Sequence, residues 1–505
     1  MTDRRIVRHH APEGASDAGA LTRRPSAIVV GGGIAGLCAA TGLAERGVRV
    51  EVVERQDHLG GRVAGWKESL PDGSQVSMSR GFHAFFRQYY NLRQLLRRAD
   101  PELSRLTGLR DYPLVDGRGR FDSFRGLPRT PPWNALAFAL RSPTFRLRDL
   151  ARVDVGAAAP LLDVSVPRIY HQLDHMDAET FLRKVNFPAA ARHLAFEVFS
   201  RSFFAPPGEM SAAELATMFH LYFLGSSEGL VFDVPNAAFD TALWSPLYKH
   251  LLAQGVGFRA GVRICEVESL GAHGFRVHDD SGDAPEADAV VLATDVRGLR
   301  DIVAASPDLG TPQWRNSVLS LRSAPAFVVQ RLWLNRPVAA ERPAFLATAG
   351  REPLDNISVL DRYEAEAEDW ARRHGGSVIE LHAYATAPDE AVPERLKARL
   401  HELYPETESA DVVGEIVRWS DDCPLHGIGD FAGRPRVRTP HRGLVLAGDG
   451  IRIDLPVALM ERAAATGWHA ANHLLASWRL AGHPLYSVPT RGRSAPLRAL
   501  VALAK

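Results

Sequence analysis

Cysteine is nearly missing from this sequence. Cys38, Cys265 and Cys423 stand far apart in 505 residues and form no CxxC or Cys/His pattern. That usage excludes a disulfide framework, a structural zinc site and a cysteine-ligated iron–sulfur cluster, and no metal-ligating set is assigned. A reducing compartment fits it best. Lysine is also scarce: Lys67, Lys184, Lys249, Lys397 and Lys505 are the only ones, a bias of codon composition rather than function. No sign of charge dominates. With 60 basic and 59 acidic residues the formal net charge is +1, so no overall field points to nucleic acid as a partner. No apolar run approaches the ~18 residues of a membrane span. Residues 1–25, rich in Arg, His, Ala, Gly and Pro, lack an apolar core and are predicted to be a disordered lead rather than a signal peptide.

The first apolar run, Ala27-Ile28-Val29-Val30, reads as a buried parallel strand. It leads into Gly31-Gly32-Gly33-Ile34-Ala35-Gly36 and a helical stretch from Cys38 to Arg46, and Val48 to Glu54 forms the next strand. The spacing Gly31-x-Gly33-x-x-Gly36 suits the three glycines in turn to a tight turn, to room for a pyrophosphate against the backbone, and to close helix–strand packing. The amides of Ile34 and Ala35 at the helix start face phosphate charge. Glu54 ends the second strand, where a carboxylate accepts ribose hydroxyls, and Arg55 follows it. A plain glycine-rich turn is the alternative, but strand, helix and acid all stand at the right distances for a dinucleotide.

Beyond Glu54 comes Asp57-His58-Leu59-Gly60-Gly61-Arg62-Val63. Gly61 and Arg62 resemble the segment that FAD-dependent amine oxidases and carotene desaturases place against the flavin pyrophosphate, and a guanidinium suits that position. The resemblance favours FAD over NAD. Val262 falls where this class supplies a backbone pair to adenine, and Ala293-Thr294-Asp295 resembles its strand end. Leu444-Val445-Leu446-Ala447-Gly448-Asp449 runs a strand into a Gly-Asp pair that can hold the ribityl chain or pyrophosphate. A helix then opens around Pro456, Val457 and Met460, with its amides and positive dipole toward the flavin N1–C2=O edge.

Gly81-Phe82-His83-Ala84-Phe85-Phe86 with Tyr89-Tyr90-Asn91-Leu92 resembles the signature of plant- and cyanobacterial-type carotene desaturases. Leu459-Met460-Glu461-Arg462-Ala463-Ala464-Ala465-Thr466-Gly467 resembles their Ser-Met-Glu-Gly-Ala-x-x-Ser-Gly helix, departing at Leu459, Arg462 and Thr466. The segments Phe196 to Phe204, Phe232-Asp233-Val234-Pro235, Asp240 to Trp244 and Leu354 to Leu360 are similar to the carotenoid φ-ring synthase (isorenieratene synthase) family, and the likeness spans about residues 26–505. It implies an FAD-dependent desaturase acting on β-carotene or a related carotenoid. Each β-ionone ring would lose four hydrogens while one geminal methyl migrates from C1 to C2, giving an aromatic ring. The migration is intramolecular, and the sequence shows neither a methyl-donor domain nor a second GxGxxG.

On that reading His83 is the first candidate base, since its segment should lie near the flavin and imidazole titrates in the useful range; orienting a loop is its alternative role. Asp233 and Glu228, beside the aromatic run Met218 to Phe223, are candidates to stabilise a ring cation, or else cap a helix or make an ion pair. Amine oxidation is disfavoured, because no lysine and aromatic cage can be assigned. Another polyene desaturase or isomerase, or a non-catalytic prenyl-lipid carrier, remains open. Oxygen or a quinone would take the electrons.

The fold class is α/β: a discontinuous Rossmann-type FAD-binding domain over 26–80, 240–311 and 431–482, with a mixed α+β substrate-binding domain over 81–239 and 312–430. Ala326 to Trp333 and Ser377 to Tyr384 alternate as strands with one face toward substrate. Leu127 to Leu140 has basic flanks and an apolar centre, resembling the region desaturases rest on a bilayer. Residues 483–505 form a tail whose Leu497, Leu500, Val501 and Ala504 make one helical stripe beside Arg498 and Lys505. Both suit a peripheral contact with the inner face of the cell membrane by an otherwise cytoplasmic protein; a docked terminal helix is the alternative for the tail.

Overall fold

The computed structural model describes residues 3–144, 151–188, 203–228, 230, 232–496 and 498–499. Most of the Phe196 to Phe204 segment and the apolar residues of the C-terminal stripe lie outside them. Ser26–Val30 is an almost wholly apolar, β-branched strand, the composition of an interior parallel strand covered on both faces. It is the centre of a five-stranded parallel sheet in the order Gly257–Ala260, Arg49–Glu54, Ser26–Val30, Ala289–Leu292, Leu444–Leu446. Segments far apart in sequence therefore meet at one sheet edge. The helix Ile34–Ala44 is apolar all round and buried along its whole length, as a helix enclosed on every side must be. It packs against Leu459–Ser477, closely enough that a β carbon on Gly467 would come 2.2 Å from the Ala35 carbonyl oxygen.

A second sheet has seven strands in the order Val412–Ser420, Phe327–Leu334, Ser377–Ala383, Asn356–Val359, Phe345–Thr348, Leu114–Val115, Phe121–Asp122. Its register sets Arg331 opposite Glu380 and Asn356 opposite His382. A smaller sheet of Phe85–Phe86, Phe232–Pro235 and Leu106–Gly108 stands beside it. Among the described residues no helix is long and apolar enough to cross a membrane.

The lead, expected to be disordered, is built into the fold from Asp3 onward. Val7–His9 pairs antiparallel with Leu485–Ser487. Asp3 is buried, accepting the Ser227 amide at 2.7 Å and pairing with Arg493. Backbone pairing and one buried carboxylate anchor this segment, and neither shows as apolar composition. The helix expected around Pro456 starts later, at Leu459.

Candidate active site

One cavity of ≈ 850 Å³ takes its lining from both large sheets. At one end lies the glycine turn. Gly31 has φ +111°, and a β carbon on Gly36 would sit 1.9 Å from the Gly31 carbonyl oxygen, so helix and turn can approach this closely only with glycine there. Glu54 ends its strand facing the turn and accepts the Gly32 N–H at 2.6 Å and the Gln56 N–H at 3.0 Å. Gly60 N–H donates to the Gly32 carbonyl at 2.9 Å, pinning the Gly60–Gly61–Arg62 segment beside the turn. Arg62 forms an ion pair with Asp449 at the tip of Leu444–Leu446.

The structure brings Gly31, Gly33, Ile34, Ala35, Glu54, Arg55, Gly61, Arg62, Val262, Thr294, Gly448, Asp449 and Met460 to this cavity. Gly36 and Val457 stand behind it. Gly36 serves packing, and the Val457 carbonyl is taken by Arg462 Nε at 3.1 Å. The Val262 N–H is already given to the Glu54 carbonyl at 3.0 Å, which leaves a ligand its carbonyl rather than a backbone pair. Two departures in the C-terminal helix find partners. The Thr466 hydroxyl accepts the Gly448 N–H at 2.9 Å. The Arg462 guanidinium is buried and donates at 2.6 Å to Glu214, which Arg434 also holds at 2.9 Å. The amides, carboxylate and guanidinium suit the pyrophosphate and ribose of a dinucleotide.

The other end is aromatic. Phe82 stacks on Phe345 with centroids 4.3 Å apart and meets Phe232 edge-on at 5.6 Å, with Phe86 and Tyr112 beside them on the wall. His83 lines this chamber. Its Nδ1 lies 2.8 Å from the Gly81 carbonyl, which can only accept, so Nδ1 carries the hydrogen and Nε2 keeps its lone pair. Burial pushes the imidazole down to about 4, so it is neutral near pH 7.

Asp233 and Glu228 do not join it. Both Asp233 oxygens face arginines, Arg93 and, at 3.4 Å, Arg87; its strand position points it to an ion-pair cluster. Glu228 accepts the Asp3 N–H at 3.1 Å. Neither residue lines the cavity among the described residues.

Sequence reasoning missed a row of polar residues on the second sheet. Glu380, His382 and Tyr384 alternate on one side of Ser377–Ala383 and its continuation, and His382 and Tyr384 line the cavity. Arg331 Nη2 donates to Glu380 Oε2 at 2.6 Å. Burial would raise the Glu380 carboxyl, and the opposing Arg331 guanidinium overrides it, holding it down to about 2. Glu380 Oε1 stands 2.8 Å from His382 Nε2, and His382 Nδ1 stands 2.6 Å from the Tyr384 hydroxyl. An ionised carboxylate only accepts, so Nε2 carries the hydrogen and Nδ1 accepts from Tyr384. The Phe82 N–H also approaches Nε2, at 3.2 Å; the shorter, charge-assisted contact decides the tautomer. Asn356 Nδ2 donates to the Tyr384 oxygen at 3.0 Å. The Glu-x-His-x-Tyr alternation was the available signal.

A dinucleotide turn at one end of a cavity and an aromatic chamber lined by a neutral histidine at the other define a flavin-dependent oxidoreductase. Residues 34–475 match the family described as flavin containing amine oxidoreductase. A carotenoid phi-ring synthase of Streptomyces griseus is 56% identical over 483 residues, 95% of this chain and 93% of that protein. A carotenoid phi-ring synthase of Chlorobaculum tepidum is 27% identical, covering 94% and 92%. A zeta-carotene desaturase of Synechocystis sp. is 24% identical, covering 89% and 97%. Among solved structures, a putrescine oxidase variant has a TM-score of 0.65 at 17% identity, covering 90% of this chain and 99% of that one. Cyclohexylamine oxidase from Brevibacterium oxydans has a TM-score of 0.64 at 14% identity, with the same coverage; these two show the fold. The chain belongs to the flavin containing amine oxidoreductase family and groups within it with the carotenoid φ-ring synthases, and its cofactor is FAD.

Proposed function

We propose that this enzyme aromatises the β-ionone ring of β-carotene, with a 1,2-methyl shift, to give the φ-ring of isorenieratene. The observation that carries the reading is the 56% identity to a carotenoid phi-ring synthase across 95% of the chain. The amides of the Gly31 to Gly36 turn and Arg62 would hold the pyrophosphate, Glu54 the ribose, and Asp449 with the start of Leu459–Ser477 the flavin end. When bound, FAD supplies the oxidant, taking a hydride from an allylic ring carbon. The chain supplies the rest. Phe82, Phe232 and Phe345 orient the ring, keep water out, and offer aromatic faces to the cation left behind. Loss of a C3 proton then forms the C3=C4 double bond and makes C2 allylic. The neutral His83 Nε2 is the first acceptor for that proton. A second hydride loss, now from C2, lets the methyl move from C1 to C2 with its bonding pair; the charge passes to C1, and loss of the remaining C2 proton completes the aromatic ring. Asp233 and Glu228, held by other partners, take no part.

The helix Trp133–Arg141 supports peripheral membrane contact. Trp133, Leu136 and Leu140 are 60%, 49% and 62% exposed. On its other side Phe138 stacks on Phe124 at 4.5 Å, which stacks on the cavity-lining Tyr112 at 5.6 Å. These stacked rings tie the helix that would rest on an inner membrane face to the wall of the chamber. Electrons then leave to oxygen or a membrane quinone.

Expression in a host that accumulates β-carotene tests the reading. New pigments lighter by four hydrogens per processed ring, with aromatic end groups, are expected. Unchanged β-carotene beside folded, FAD-loaded protein would overturn it in favour of another polyene substrate, and protein that takes up no FAD would point to a lipid carrier.

A further inference from the structure

We propose that Tyr384 accepts one of the two protons each ring must lose, acting through a relay of His382 and Glu380 on the same strand. The inference rests on the ring-aromatising reading above and adds a second base to it. Each ring gives up two hydrides and two protons, and the two C–H bonds broken as protons need not face the same side of the chamber. His83 is one neutral base on the wall. From the second sheet His382 and Tyr384 reach the cavity and form a chain with Glu380: the Tyr384 hydroxyl 2.6 Å from His382 Nδ1, and His382 Nε2 2.8 Å from Glu380.

A phenol alone is a poor base near neutrality. An acceptor imidazole behind it lets it take a proton on oxygen while passing its own O–H proton to Nδ1, the logic by which a serine hydroxyl is activated through histidine and carboxylate. In the step proposed here a ring C–H bond breaks and its electron pair becomes the new C=C bond. The proton bonds to the Tyr384 oxygen, and the former Tyr384 proton bonds to His382 Nδ1. The imidazolium formed is stabilised by Glu380, which Arg331 keeps ionised from the facing strand at 2.6 Å. No electrons enter or leave in this step; oxidation belongs to the flavin. Asn356, donating to the Tyr384 oxygen at 3.0 Å, fixes the ring's position. Tyr384 is thus the catalytic group, and His382, Glu380, Arg331 and Asn356 position it.

Two variants and one spectroscopic measurement test this. Tyr384→Phe keeps the ring and removes the hydroxyl; His382→Gln keeps a donor to Glu380 and removes the Nδ1 acceptor. In the FAD-loaded enzyme with β-carotene and without oxygen, each variant should reduce its flavin in the first turnover at close to the parent rate. Once oxygen or a quinone is added to reoxidise the flavin for the second oxidation, aromatic product should form ~10²-fold more slowly or worse, and rings short of only two hydrogens should accumulate. In protein without substrate, ¹⁵N-labelled histidine, assigned by loss of signal in His382→Gln, should show His382 protonated on Nε2. An unchanged rate of aromatic product in Tyr384→Phe overturns the relay alone. So does an equal fall in flavin reduction and product, which marks a structural role, or an Nδ1-protonated His382. A parent enzyme that reduces flavin with β-carotene yet forms no aromatic ring once oxygen or a quinone is supplied overturns the ring-aromatising reading and the relay with it.

Discussion

The imidazole of His382 occupies the space a side chain on Gly81 would need. A β carbon there would lie 2.5 Å from His382 Cε1, and Gly81 has φ +98°, a conformation glycine adopts without strain. Gly81 also carries the carbonyl that fixes the His83 tautomer, so one residue sets both histidines of the chamber. Gly81→Ala should therefore displace them together. Aromatic product formation is expected to fall by about 10²-fold while FAD still binds, checked by product analysis beside flavin titration. Retention of parent activity would mean that neither histidine needs its present position.

Glu54 joins the glycine turn to the second strand through two backbone amides. Glu54→Ala strands the Gly32 and Gln56 N–H groups and removes the acceptor proposed for ribose. FAD binding should weaken by roughly 2 kcal/mol, about thirtyfold in Kd, measured by titrating the apoprotein and following flavin fluorescence. An unchanged Kd would place the ribose elsewhere.

Exposed Trp133 and Leu140 stand on the helix whose inner face stacks toward the cavity. Burying each in a lipid interface contributes about 1.5–3 kcal/mol. The double variant Trp133→Ser, Leu140→Ser should lose at least roughly tenfold in binding to phospholipid vesicles, measured by cosedimentation, while keeping its fold. Undiminished binding would assign membrane contact to another surface.

His220 gives the enzyme an acid-sensitive stability. Burial pushes its imidazole down to about 4 from 6.5, and its Nε2 donates to the Pro489 carbonyl at 2.6 Å. Between those values the unfolded chain binds a proton that the folded chain refuses. Stability present above pH 6.5 is therefore lost as pH falls toward 4, by up to about 3 kcal/mol from this residue. Denaturant melts at pH 7 and pH 5 should show His220→Leu losing less stability than the parent over that interval, by about 2 kcal/mol. Equal losses would show that His220 is charged in the folded state.

The cofactor half was legible because its signals are local. The Gly31 to Gly36 spacing, the acid at Glu54 and the Gly448-Asp449 strand end each declare themselves within a few residues, and the parallel sheet gathers them at one edge. The chamber was less legible because its residues meet only through register and long-range packing. Asp233 and Glu228 look catalytic beside an aromatic run, yet the partners that occupy them, Arg93 and Asp3, lie 140 and 225 residues away. Glu380, His382 and Tyr384 read as an ordinary alternating strand until Arg331 on its neighbour and the cavity wall give the alternation a direction. The lead shows the same limit, since strand pairing with Leu485–Ser487 leaves no trace in its composition.

The most direct measurement gives the purified, FAD-loaded enzyme β-carotene carrying ¹³C in the geminal methyls at C1 and locates the label in the product by NMR. The expected result is an aromatic ring that keeps every labelled carbon, with half of the label on the methyl at C2. Loss of a labelled methyl, or a product in which both remain on C1, would contradict an intramolecular shift coupled to aromatisation.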